Sequence, residues 1–150
     1  MVLNKYVTWL VFFAAAFSPA AHASLGGDIG SVSQDRTQAK TLMRSQTMQG
    51  YTVHETLTES GTMVREYAGA NSKVFAVTWA GPLMPDLRQL LGPYFPQYIV
   101  DSDERRGGHA RRSVRHGDLV VYSAGRMRAF SGVAYLESAI PNGVQIDALR

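Results

Sequence analysis

The 150-residue chain has no cysteine. That excludes disulfide staples, thiolate metal ligands, a cysteine nucleophile and a lipid-modified cysteine. Long apolar runs are scarce as well. The one substantial run, Val7 to Phe17, falls short of the ~20 residues a spanning helix needs, and Pro19 and His22 interrupt its end. Catalytic signatures are lacking: there is no G-x-S-x-G elbow and no S-x-x-K pair, and "ESGT" and "YSAG" read as hairpin turns. His54, His109 and His116 have no metal-ligand spacing, so neither a metal nor a cofactor is expected. His54 falls on the polar side of its strand and reads as a surface residue.

What is present begins with a leader. Lys5 precedes the apolar run, and Ala21 and Ala23 supply an A-x-A pattern. This is the arrangement of a secretory signal peptide, with cleavage expected between Ala23 and Ser24. Its removal leaves 127 residues (150 − 23), a length suited to one domain, 24–150. Net charge falls from +3 to +2, because Lys5 leaves 14 of 15 basic residues against 12 acidic ones. So mild a positive balance permits contact with anionic lipid headgroups without demanding it.

Ser31 to Met48 contains no Pro or Gly and carries a thin apolar stripe of Val32, Ala39, Leu42 and Met43, which predicts an amphipathic helix ending at Gly50. The period then changes to two. From Tyr51 to Trp79 the odd positions carry Tyr51, Val53, Leu57, Met63, Tyr67, Phe75, Val77 and Trp79, which predicts one buried strand face. Glu55 and Arg65 also fall on that face and set the register. A two-residue turn would bring Glu55 opposite Glu66, whereas a three-residue turn Glu59-Ser60-Gly61 pairs Glu55 with Arg65, Leu57 with Met63 and Val53 with Tyr67. A second turn at "GANS" completes a three-stranded meander. A helix is expected around Leu87, Leu90 and Leu91, begun by Pro85-Asp86 and stopped by Gly92.

The segment 102–117 is an Arg-rich connector, within which "RRSVRH" fits an edge strand whose charges discourage edge-to-edge pairing. Its arginines lack interleaved aromatics and any nucleic-acid motif, so nucleic acid is not an expected partner; the run reads as a solvated loop, with contact with an anionic membrane surface as the alternative. A C-terminal hairpin with the loop Ser123-Ala124-Gly125 pairs Val121 with Met127 and Leu119 with Ala129. The expected fold is α+β: an antiparallel sheet of about five strands, a meander of three plus this hairpin. Helices pack on one of its faces, in the order α-βββ-α-ββ, with a short C-terminal helix after Pro141-Asn142-Gly143.

Two clusters stand out as candidate sites. Tyr122, Arg126, Arg128 and Phe130 mix aromatic and guanidinium groups on one expected sheet face, a composition suited to cation–π pairing or to a partner interface. Glu55 and Arg65, beside Trp79 and Tyr94, make a candidate pocket in which Arg65 orients a carboxylate.

The segments "YTVHETLTESGTMVREY", "SKVFAVTWAGPLMPDLRQLLGPYFPQY" and "DLVVYSAGRMRAFSGVAYL", following "SLGGD", together resemble the DUF2844 family of exported bacterial proteins of unknown function. The core of the resemblance is W-x-G-P-x-x-P-D-L-R-x-L-L-G, Trp79 to Gly92. The family pattern has Gly-Gly-His before "MRAF", where this chain has Ala124, Gly125 and Arg126, so no role of that His carries over. The resemblance implies export and a single domain, and brings no activity or catalytic residue with it. The sequence thus points to a small exported binding or interaction module without catalysis, periplasmic or secreted, whose partner is a protein or another envelope component. The rival reading is a hydrolase or ligand-processing enzyme built on Glu55 and Arg65 near Trp79.

Overall fold

The computed structural model describes residues 24–29, 42–104 and 111–149. The leader, residues 31–41 of the expected first helix, and the centre of the Arg-rich connector with His109 lie outside them. The described chain is mostly β, which corrects the α+β expectation. Seven strands, β1 (Leu42–Met48), β2 (Tyr51–Leu57), β3 (Met63–Gly69), β4 (Val74–Gly81), β5 (Arg111–His116), β6 (Leu119–Arg126) and β7 (Ala129–Leu136), form one antiparallel sheet in the order β1-β2-β3-β4-β7-β6-β5. After β4 the chain crosses to the far edge and returns, so that β7 closes against β4 at the centre.

Leu42–Met48 is a strand, not the end of a helix. It pairs with β2 along its whole length, from Leu42↔Leu57 to Met48↔Tyr51. The apolar stripe there was thin, and a helix without a strong packing face yields to a neighbouring strand that satisfies every backbone group. Gly50, read as a helix stop, is a hairpin glycine at φ 91° in the turn Gln49-Gly50. The β2–β3 hairpin follows the charge-based register, with Val53↔Tyr67, Glu55↔Arg65 and Leu57↔Met63 and Gly61 left-handed at φ 80°. Arg111–His116 is the expected edge strand.

The expected face assignment fails in β4. A register shift between Tyr67 and Ala68 leaves Phe75 on the face of Tyr51 and Val53 but sends Val77 and Trp79 to the other. Strict alternation was already misleading there, because Val74–Trp79 are buried on both faces. One face, hereafter face A, holds Val64, Val77, Trp79, Val121 and Leu136. Leu25 of the N-terminal segment and Leu90, Leu91 and Tyr98 of the helical stretch close over it. That stretch is α1 (Leu87–Leu91), a 3-10 turn and α2 (Phe95–Glu104). The helix begins where expected, and Asp86 is its N-cap, with Oδ1 accepting from the Arg88 and Gln89 amides at 2.9 and 3.3 Å.

The opposite face, face B, packs Val53, Tyr67, Phe75, Val120 and Tyr135 beneath Ile140, Val144, Ile146 and Leu149 of the C-terminal segment. That segment forms a 3-10 turn, Ile146–Leu149, in place of a helix, and the Tyr67 hydroxyl donates to the Leu149 carbonyl at 2.9 Å.

The C-terminal hairpin also needs correction. Its turn is Met127-Arg128, and the register runs Arg126↔Ala129, Gly125↔Phe130, Val121↔Ala134 and Leu119↔Leu136. Gly125, expected in the loop, lies in the strand with the Phe130 ring covering it: a Cβ there would come within 2.5 Å of Phe130 Cδ1. Gly132 serves Trp79 in the same way, since its Cβ would lie 2.1 Å from Cζ2 and 2.7 Å from the Tyr122 carbonyl oxygen. The longer register also buries Val120, Val121, Val133 and Ala134 completely or nearly so. Burying such side chains contributes about 1.5–3 kcal/mol for each Val.

Candidate functional site

Directly opposed residues in an antiparallel ladder share a face, so the strand registers arrange face B in rows running across the sheet. The first row, Val53, Tyr67, Ala76, Tyr135 and Val120, is fully buried under the C-terminal segment. In the second row Glu55 and Arg65 lead to Thr78, Val133, Tyr122 and Ser113. The third runs from Met63 through Ala80, Ser131 and Ala124 to Arg111. Exposure rises from row to row: Thr78 and Val133 are buried, Tyr122 is half-buried, and Ala80, Ser131 and Arg111 are exposed.

The second and third rows bound a groove of about 640 Å³. Its floor is made of short side chains, Thr78, Ala80, Ala124, Ser131 and Val133, because longer ones would fill it. Arg65 lines one side, Arg111 and Arg112 the other, and the Tyr122 ring stands between them. Among the described residues no Asp or Glu lines it. The volume lies within the range of small-molecule sites, roughly 300–1,000 Å³, and alternating apolar floor and hydroxyl groups is the usual make-up of such a site.

Arg65 is held in place by Glu55, its Nε donating to Oε1 at 2.6 Å, and this hydrogen bond is the main reason its pKa stands above the ordinary value. One of the five guanidinium N–H donors is thereby used. The pair is partly exposed, 41% for the Arg65 side chain and 23% for Glu55, so it contributes little to stability, about 1 kcal/mol at most. On the other side of Tyr122 lies Arg115. A hydrogen bond with the Tyr122 hydroxyl, and then the Glu137 carboxylate 2.9 Å from Nη1, hold its guanidinium above the usual pKa.

The sheet divides the pocket expected from the sequence. Arg65 lines the groove on face B with Glu55 beside it on the same face, whereas Tyr94 packs against the face A core that contains Trp79. Trp79 adjoins the groove but is only 2% exposed. The expected aromatic–arginine face is divided too. Tyr122 lines the groove, Arg126 lies four residues along the same strand, Arg128 sits in the turn, and Phe130 covers Gly125 on face A. The arginine next to Tyr122 is Arg115, and a cation–π contact occurs elsewhere, with Arg88 5.0 Å from the Phe95 ring centre.

Thr78, Ser113, Ser131 and Arg111 were missed as site residues. Thr78, Ser113 and Ser131 are unremarkable in sequence and Arg111 stands out only as part of the Arg-rich connector, and the β4–β7, β6–β7 and β5–β6 registers bring the four into neighbouring rows. Ser131 alone has a local signal, the small-residue run "FSG" in a strand that is otherwise bulky. His54 also departs from the surface reading. It is half-buried, its Nδ1 lies 2.8 Å from the Ser45 hydroxyl, and its cross-strand neighbour is the buried Glu66. This polar row lies on face A, across the sheet from the groove. Among the described residues no group of three or more His, Asp or Glu is placed to hold a metal ion.

The chain belongs to the family described as "Protein of unknown function (DUF2844)", whose pattern matches residues 21–149. No curated protein and no solved structure matches it.

Proposed function

We propose that the protein is an exported, periplasmic or secreted binding module, with no catalysis, that takes an organic anion with an apolar body into the face B groove. The observation that carries this reading is the groove's construction: short apolar and hydroxyl side chains form the floor, and Arg65 and Arg111 supply positive charge on opposite sides. Arginine recognises carboxylate and phosphate oxygens through paired N–H donors, and the Tyr122 and Ser131 hydroxyls add neutral donors. The Val7–Phe17 run followed by Ala21 and Ala23 supports export. Among the described residues no helix is long and apolar enough to cross a membrane.

Isothermal titration with octanoate and octyl phosphate, set against neutral octyl glucoside, tests the proposal. Binding of either anion but not the glucoside is expected, weakened at least fivefold by Arg65→Ala or Arg111→Ala. Equal binding of all three, or anion binding indifferent to both substitutions, would overturn it.

A further inference from the structure

The sheet end that carries the β6–β7 turn breaks the local rules of turn chemistry in two ways. A two-residue hairpin turn favours Asn, Asp or Gly, whose backbones accept positive φ. Here the turn is Met127-Arg128, with Arg128 held at φ 62° and Met127 92% exposed. A strained non-glycine residue beside a fully exposed apolar one marks a place to look for function.

The surroundings share this character. Arg126 precedes the turn, and the pairing Arg111↔Ala124 brings the start of β5, with Arg111 and Arg112, to the same end. Gly81↔Phe130 brings the end of β4 there too, followed by Leu83 and Met84, which are 56% and 41% exposed. Asp86 is engaged in capping α1, and Glu59 lies in the β2–β3 turn beyond β4.

We infer that this end of the sheet docks on an anionic lipid bilayer, with Met127 entering the interface and Arg126 and Arg128 meeting headgroup phosphates. Long cationic side chains around an apolar residue on a projecting turn suit a soft, negatively charged surface. The charge is complementary and the apolar contact is small, so attachment is reversible and electrostatic. The inference is independent of the groove ligand, because neither Arg126 nor Met127 nor Arg128 lines the groove.

Co-sedimentation of the chain 24–150 with phosphatidylglycerol-containing vesicles, against pure phosphatidylcholine vesicles, tests it. Binding only to the anionic vesicles is expected, falling as salt is raised from about 50 to 500 mM. Arg126→Gln with Arg128→Asn, a residue that tolerates the left-handed turn, should lower partitioning about 30-fold, the effect of losing two headgroup charges. Met127→Ser should lower it severalfold and leave the salt dependence unchanged. Both variants should retain the wild-type melting curve and groove binding. Equal binding to both vesicles, salt-insensitive binding, unchanged partitioning of the double variant, or capture of a protein partner through these residues without vesicle binding would overturn the inference.

Discussion

Replacing Gly132 with alanine probes the joint between the core and the groove. In the interior of an ordinary strand, alanine is the better residue by about 0.5–1 kcal/mol, because glycine loses more backbone freedom on folding. Here the added methyl would lie 2.1 Å from Trp79 Cζ2, 2.5 Å from Cε2 and 2.7 Å from the Tyr122 carbonyl oxygen. The ring cannot withdraw, since Trp79 is packed among Val64, Val121 and Leu91, and the carbonyl belongs to a paired strand. Overpacking of this kind costs about 1–3 kcal/mol, and two unyielding neighbours place Gly132→Ala near ~3 kcal/mol. For a chain of this size that corresponds to a fall in melting temperature of roughly 10 °C. Trp79 is itself the reporter, because the other tryptophan, Trp9, precedes the expected cleavage point. Urea unfolding of the chain 24–150, followed by tryptophan fluorescence for the single variant and by circular dichroism for all, gives the free energies. Trp79→Phe removes Cζ2 and loses no hydrogen bond, because Nε1 is buried without a partner among the described residues. In the background of that variant, the cost of Gly132→Ala should fall by at least half. A Gly132→Ala protein as stable as wild type, or more so, would refute the packing argument.

Other perturbations address the remaining joints. Burial raises the Tyr67 pKa, so the unfolded chain ionises first, near 10. The stability this residue confers is thus intact below about pH 10 and lost as pH rises toward the folded value. An alkaline unfolding titration should show this loss, and Tyr67→Phe should abolish that component while costing about 1 kcal/mol at neutral pH for the lost bond to Leu149. Thr62 is fully buried and donates to the Leu83 carbonyl at 2.7 Å, so Thr62→Val leaves that acceptor unsatisfied. Chemical denaturation should register a loss of ~1–3 kcal/mol. Glu55→Gln neutralises the carboxylate that engages Arg65. Because the pair is partly exposed, stability should change by less than about 1 kcal/mol, while octanoate should bind several-fold more tightly by calorimetry.

Much of the first half of the sheet was legible from residue chemistry. The β2–β3 register followed from avoiding two glutamates opposite one another, and Glu55 and Arg65 do meet at 2.6 Å. The capped helix after Pro85-Asp86 and the charged edge strand Arg111–His116 were also readable. Alternation failed where its physical premise failed. The bulge after Tyr67 switches Val77 and Trp79 to face A, and a central strand covered on both sides has no polar face to mark its phase. Gly50 and Gly125 misled because each is legible as a breaker, whereas one makes a hairpin turn and the other admits an aromatic ring. The groove was hidden for a related reason: Arg65, Thr78, Ser131, Tyr122 and Arg111 come from five strands, and only the true hairpin register aligns them.

The central claim is that the groove between Arg65 and Arg111 receives an organic anion. Amide chemical-shift mapping of the isotope-labelled chain during an octanoate titration tests it most directly. Saturable shifts concentrated at Thr78, Ser113, Tyr122, Ser131 and Val133, with Leu90, Leu91 and Tyr98 on face A unmoved, are the predicted result. Shifts centred on face A, or none at millimolar octanoate and octyl phosphate, would contradict it.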